Sequence, residues 1–198
     1  RAACDRHGAL LIFDEIPTGL GKTGKMFACD HDGVVPDILV MGKALGGGIL
    51  PIAAVIAKPE FDVGADYAFG HYTHEKNPVT ARAALTTIEI IEDERLVENA
   101  ARVGAAALER MAVMKKNNSA IGDVRGRGLL LGLDLVVDRA SRAPATELAE
   151  AVLYRALDAG LSFKTTMGNV LTLTPPLTTT IDEMMRALDI LEDAIAAG

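Results

Sequence analysis

Tryptophan is absent from this chain and aromatic residues make up only 4% of it, so any core has to be built from aliphatic side chains. Cysteine occurs twice, at Cys4 and Cys29, in a spacing that matches no metal-ligand pattern. The two are read as reduced thiols, as in a cytoplasmic protein, with one disulfide in a secreted protein as the alternative. Positive charge is also in short supply. Twenty Lys and Arg stand against 27 Asp and Glu, a formal net charge of −7. A nucleic-acid partner is therefore not expected, because a phosphate backbone calls for clustered cations. No apolar run approaches the roughly 18 residues of a membrane span. The opening RAACDRHGALL does not read as a signal peptide, since Asp5, Arg6 and His7 interrupt it. It reads as the end of a helix stopped by Gly8, as if the chain began inside a domain.

What is present is an aliphatic α/β pattern. Ala9–Phe13 is a continuous apolar run ending in Asp14 and Glu15. Asp37–Met41 is a second, followed by Gly42, Lys43 and Gly46–Gly48. Ile52–Ala57 is a third. Such runs predict strands buried on both faces of a sheet. Gly70–Pro78 reads as a polar loop and Val79–Glu92 as a helix, with Ala84, Ile88 and Ile91 at helical spacing. Asp93–Lys116 continues helically with Leu96, Ala100, Val103, Ala107 and Met111 on one face, and Asn117 and Asn118 stop it. Gly122–Asp138, with its run LLLGLDLVV, predicts one strand. Glu147–Ala159 predicts a helix, Val170–Leu173 a short strand and Thr180–Ala197 a final helix. A domain boundary is expected in the helical stretch near residues 85–100. It divides residues 1–92, part of a large domain, from residues 93–198, a small α+β domain.

Three chemistries compete for the first fifty residues. LLIFDE followed by GKT suggests nucleotide hydrolysis, but the G-x-x-x-x-G-K-[ST] loop would need Gly where Ile16 stands, and it follows the acidic strand instead of preceding it. Gly19, Gly21 and Gly24 fit G-x-G-x-x-G, yet Gly33 and Pro36 leave no room for the helix that should meet a pyrophosphate. The third reading uses Asp14 at one strand end and Lys43 at the next. Adjacent parallel strands bring their carboxyl ends together, where open α/β sheets bind ligands. An acid and an amine so placed suit pyridoxal 5'-phosphate: the amine as Schiff-base lysine, the acid against the pyridinium nitrogen. By spacing alone, an acid at a strand end more often caps a loop, and a loop lysine is more often solvated.

The segments LLIFDEIPTGLGKTGKMFA and PDILVMGKALGGGILPIAAV, then GHYTHEKNPV, VRGRGLLLGLDL and TLTPPLTTT, resemble in order and spacing the C-terminal half of class III, fold-type I pyridoxal-phosphate aminotransferases. The resemblance implies the PLP-dependent transferase fold, with part of a large mixed or parallel-sheet domain plus a small α+β domain. It implies Lys43 as the lysine that carries the cofactor and shuttles protons, and Asp14 at the pyridine nitrogen. Thr73, four residues before Asn77-Pro78, would bind the cofactor phosphate across a dimer interface, while Ile16 and Pro17 would lie beside the ring. It implies a homodimer acting on an amine or amino acid and a 2-oxo acid.

The sequence departs from that pattern in three places. Pro17 stands where many members have a polar residue near the cofactor's phenolic oxygen. Thr172 stands where members acting on amino acids often carry an Arg for the substrate's α-carboxylate, so an amine or amino-phosphonate is an expected substrate. His74, Glu75 and Lys76 fill a position that is often small; a solvated loop and a substrate contact both remain open there. His71 reads as structural. Together these features resemble a subgroup of ammonia-lyases acting on a hydroxylated aminoethylphosphonate. An inactive or structural member of the same fold is a further alternative. The family's phosphate loop and ring-stacking aromatic lie in its first half. Here only Phe27, Tyr67, Phe69 and Tyr72 are near the site, so these 198 residues alone are expected to be inactive.

Overall fold

The computed structural model describes residues 1–197 other than 65, 68, 69, 71 and 72. The chain divides into two compact units, Arg1–Gly21 with Lys25–Leu96, and Lys22–Gly24 with Val97–Gly198.

The first unit opens with helix α1 (Ala2–His7), which stops where Gly8 turns left-handed at φ 64°. Its sheet has three strands in the order β1 (Ile12–Asp14), β2 (Ile38–Met41), β3 (Ala54–Ala57). β1 and β2 are parallel, with Ile12 beside Ile38 and Asp14 beside Val40, and β3 returns antiparallel along β2. The sequence places strands here, but two expectations are corrected. β1 is shorter than Ala9–Phe13 and takes in Asp14. The strands are also not buried on both faces, since Ile12 is 55% exposed and Val55 68%. Burial of a parallel strand needs a layer on each side, and the residues of this chain leave Ile12 and Val55 uncovered. Helix α2 (Pro78–Asp93) begins at Asn77, whose Oδ1 accepts the Val79 N–H at 2.9 Å, with Pro78 in the first turn. It packs against the 3₁₀ turn Lys43–Gly46.

A buried carboxylate joins the amino ends of β1 and β2 to the carboxyl end of β3. Asp37 accepts the Leu11 N–H at 2.8 Å, Arg1 Nη1 at 2.7 Å and Lys58 Nζ at 2.6 Å. The Leu11 amide, then Lys58 and Arg1, hold its carboxyl well below the usual carboxylate range.

The second unit is built on helix α3 (Leu96–Asn117), which starts after a break at Arg95 (φ 55°) and so does not run on from Asp93. Ala100, Val103, Ala107 and Met111 are fully buried along one face of it, the face read from the sequence. The expected single strand over Gly122–Asp138 is a hairpin of β4 (Ile121–Arg127) and β5 (Leu130–Leu135). Its turn needs Gly128, which sits at φ 53°; a Cβ there would lie 2.4 Å from the Thr23 carbonyl carbon. Helix α4 (Thr146–Asp158) follows, then β6 (Lys164–Thr166), unforeseen in the sequence, β7 (Val170–Leu173) and helix α5 (Ile181–Ala196). The strands run antiparallel in the order β4-β5-β7-β6. A reciprocal cap starts α5: Thr180 Oγ1 accepts the Glu183 N–H at 3.2 Å and Glu183 accepts the Thr180 N–H at 2.8 Å. The core is aliphatic, with Leu131, Leu133, Leu135 and Leu171 from the sheet meeting Leu188 and Leu191 from α5. Residues 22–24 belong to this unit, where the Lys22 carbonyl accepts the Leu129 N–H at 2.9 Å.

Candidate active site

Parallel pairing of β1 with β2 sets the first feature of the site. Asp14 is the last residue of β1 and pairs in register with Val40, one residue before β2 ends. Gly42 then runs extended, and Lys43 enters a left-handed conformation at φ 46° to open the 3₁₀ turn. A non-glycine residue there carries strain of about 1 kcal/mol. The turn closes through Leu45 N–H to Gly42 O at 3.1 Å and Gly47 N–H to Ala44 O at 2.9 Å. Acid and amine thus stand at the carboxyl ends of neighbouring strands. Both are exposed.

The segment after Asp14 is wound tightly by its own carboxylates. Asp14 Oδ1 accepts the Ile16 N–H at 3.0 Å. Glu15 turns inward and is only 4% exposed. It accepts the Thr18 hydroxyl through one oxygen and the Cys29 N–H at 2.9 Å through the other, while its carbonyl takes the Gly19 N–H at 2.8 Å. A Cβ on Gly19 would come within 2.9 Å of that carbonyl, so only glycine fits. Burial, and then the Glu15 charge, push the Cys29 thiol up in pKa, which keeps it protonated and unreactive. The winding brings Ile16 beside Gly42, where a Cβ on the glycine would lie 3.6 Å from the Ile16 side chain. The Asp14 turn and the residue before Lys43 are therefore neighbours. Pro17 is exposed on the same turn.

This donor set suits pyridoxal phosphate. Among the described residues Asp14 Oδ2 and Lys43 Nζ have no hydrogen-bond or ion-pair partner, so one carboxylate oxygen and one amine are available at the strand ends. Thr73 lies on an exposed turn ahead of α2, and no hydrogen bond among the described residues joins it to Asp14 or Lys43. His74, Glu75 and Lys76 are exposed on that turn, with Lys76 at φ 58°. Phe27 is half-buried and Tyr67 is 72% exposed. His71, Phe69 and Tyr72 lie outside the described residues. After the glycine cluster comes only a 3₁₀ turn, Ala28–His31, where a dinucleotide fold would need a helix. The inward carboxylate of Glu15 was not anticipated; its sequence signal was an acid followed three residues later by a hydroxyl.

Residues 1–195 match the family described as aminotransferase class-III. The chain is 46% identical over 99% of its length to an (R)-1-hydroxy-2-aminoethylphosphonate ammonia-lyase of Vibrio splendidus, covering 41% of that protein. It is 46% identical over 97% of its length to a leucine/methionine racemase of Thermococcus litoralis, covering 43% of it. Among solved structures, a Bacillus anthracis aminotransferase superposes over the whole chain with a TM-score of 0.92 at 34% identity, and the match covers 47% of that structure. An amine transaminase from an uncultivated Pseudomonas species, in a PLP-bound form, gives 0.93 at 36% over 100% of this chain and 46% of its own. The chain thus spans less than half the length of these relatives. Its mixed α/β units carry the fold of PLP-dependent transferases, and the cofactor indicated is pyridoxal 5'-phosphate. The chain belongs to the class-III aminotransferase family.

Proposed function

We propose that the full-length protein is a pyridoxal 5'-phosphate-dependent aminotransferase that moves an amino group between an amine or amino acid and a 2-oxo acid. The observation that carries this is the pairing of Asp14 and Lys43 at the ends of adjacent parallel strands, with Ile16 packed beside Gly42. Lys43 Nζ would hold the cofactor covalently and, once released from it as the substrate amine takes its place, would take the proton from the substrate carbon. Asp14 would accept from the pyridine N–H through its open oxygen and favour that protonated state by charge. Ile16 and Pro17 would lie beside the ring, and Thr73 would donate to the phosphate. When bound, the cofactor supplies an electron sink for the substrate carbanion. The bonds that Glu15 makes keep the turn after Asp14 rigid, so the carboxylate stays oriented. Residues 1–92 then form the C-terminal part of the cofactor domain and 93–198 the small domain of a cytoplasmic homodimer.

Elimination is the second reading, favoured by the identity to the Vibrio ammonia-lyase and by Thr172 at the position of the usual arginine. Lys43 would take the same proton, and a β-substituent would leave in place of amino transfer. The racemase relative adds return of the proton to the opposite face. Borohydride treatment of the full-length protein followed by peptide mass spectrometry should find the cofactor fixed on Lys43. An unmodified Lys43 would sink the assignment and favour a structural role. With pyruvate as acceptor, alanine identifies transfer; ammonia released without an acceptor identifies elimination.

A further inference from the structure

Shortly after the Asp14 turn the chain leaves the first unit for the second and returns, since Lys22–Gly24 belongs to the second. Hydrogen bonds fix it before and after the crossing. The Gly19 N–H donates to the Glu15 carbonyl at 2.8 Å, and the Gly21 N–H donates to the Met26 carbonyl at 3.2 Å, which closes the neck of the loop. At the tip, the Lys22 carbonyl accepts the Leu129 N–H at 2.9 Å and Lys22 Nζ donates to the Pro175 carbonyl at 2.8 Å. Only Leu20 and Gly21 separate the last held amide of the Asp14 turn from the first carbonyl held in the second unit.

The tip is tightly seated. A Cβ on Gly24 would lie 3.0 Å from the Ala101 Cα of α3, and one on Gly128 would lie 2.6 Å from the Gly24 nitrogen. α3 closes on the same hairpin turn, where a Cβ on Gly104 would overlap the Gly128 oxygen. Two residues here are held at a local cost. Leu20 is buried at φ 56°, a left-handed conformation that a side chain disfavours. Lys22 is half-buried against a neutral carbonyl, with no ion pair among the described residues. Its ammonium therefore loses hydration without an opposite charge in return, and burial lowers its pKa. Such costs persist where the surrounding contacts over-determine them, and they gather at clamps and switches.

A turn that aims a carboxylate has two ends to fix. Glu15 fixes the end nearer Asp14, and the other end leads through Leu20 and Gly21 straight to Lys22. We propose that the Lys22–Gly24 tip is an anchor for the Asp14 turn and that Lys22 is a positioning residue, which keeps the Asp14 carboxylate aimed at the cofactor nitrogen by holding the tip on the Leu129 and Pro175 backbone. This role rests on Asp14 and Lys43 being the cofactor site, and it is exerted through the chain. Slack at the tip frees the far end of the turn, and the carboxylate then spends less time on the nitrogen.

Absorption titration of the full-length protein with pyridoxal 5'-phosphate tests this without turnover. Lys22→Met, which keeps the stem and removes the donor, should weaken cofactor binding by about threefold to thirtyfold, the range of coupling carried by a connected network. The pH at which the bound cofactor's visible absorption changes should rise by roughly 0.4 to 1.5. The sign follows from charge: a ring nitrogen that has lost Asp14 is less often protonated, and removing that positive charge favours the protonated form of the nitrogen shared with Lys43. Asp14→Asn should shift it the same way and further. Lys22→Arg, which restores a donor, should return both readings towards those of the unmutated protein. Gly24→Ala pushes the tip away from α3 and should reproduce the Lys22→Met shift, so the anchor stays testable if Lys22→Met does not fold. Leu188→Ala destabilises the second unit from its core and should leave the absorption change where it was. No shift in Lys22→Met and Gly24→Ala, or an equal shift in Leu188→Ala, would overturn the anchor alone. An unmutated protein that takes up no cofactor would overturn the reading of Asp14 and Lys43, and the anchor with it.

Discussion

The two units hold themselves together by different means. In the second, α3, α5 and the sheet interlock through side chains with no exposure at all, such as Val103, Met111, Leu133 and Leu188. In the first, large apolar side chains including Ile12, Val55 and Ile56 remain more than half exposed. Two carboxylates add order there: Glu15 holds Thr18 and Cys29, and Asp37 gathers Arg1, Leu11 and Lys58. The difference is instructive because the candidate chemistry lies in the first unit. Directed polar bonds fix a turn to within tenths of an ångström while leaving neighbouring atoms open, whereas apolar burial stabilises more but closes the surface.

The largest effect should separate chemistry from packing. Lys43→Ala is expected to lower turnover of the full-length protein by on the order of 10³-fold or more, with its thermal midpoint nearly unchanged. A comparable loss of stability would mean that Lys43 serves the fold. Leu188→Ala, at a side chain with 0% exposure, should cost about 2–5 kcal/mol in denaturant unfolding. Glu15→Ala leaves the Thr18 hydroxyl and the Cys29 N–H without their acceptor, and about 1–3 kcal/mol should follow. Glu15→Gln, which keeps one acceptor, should recover part of it.

Asp37 makes the contrast visible in pH. Its folded carboxyl titrates below the unfolded value of about 3.9. The unfolded chain therefore takes up that proton first as pH falls, so the contribution is present above about pH 4 and is lost below it, towards the folded value. Thermal midpoints recorded from pH 7 down to pH 3 should decline less steeply at the acid end for Asp37→Asn than for the unmutated protein. The smallest effect should be Val55→Thr, within about 0.5 kcal/mol, since the side chain is 68% exposed. A cost of several kcal/mol there would show that the first unit's sheet is covered in the full-length protein, and the contrast would then be one of this chain alone.

Much of this was legible in the sequence, and unevenly so. The buried face of α3 and the Thr180 start of α5 follow from local periodicity and capping, which depend on neighbours three or four residues away. β2 and β7 announce themselves as short aliphatic runs. β4 was covered by the single strand read over Gly122–Asp138 but not separated from β5, because IGDVRGR carries charge and glycine where a strand pattern wants alternation and its strand is defined by pairing with β5. β6 is likewise an edge strand defined by its partner. The order and spacing of Asp14 and Lys43 brought the candidate site into view, while the inward turn of Glu15 and the three donors on Asp37 did not show.

Taken alone, the order of residues settled which segments are helical, which are aliphatic, that acid and amine stand at successive strand ends, and which family the chain resembles. Each of those is a matter of neighbours along the chain or of motif order. Folding in three dimensions decided the rest: that β1 and β2 lie parallel with Asp14 beside Val40, that Ile16 comes to rest against Gly42, that residues 22–24 join the second unit, and that Lys164 stands beside Thr172. These contacts join residues far apart in the chain, and their free energy depends on burial and hydrogen-bond geometry that no local pattern records.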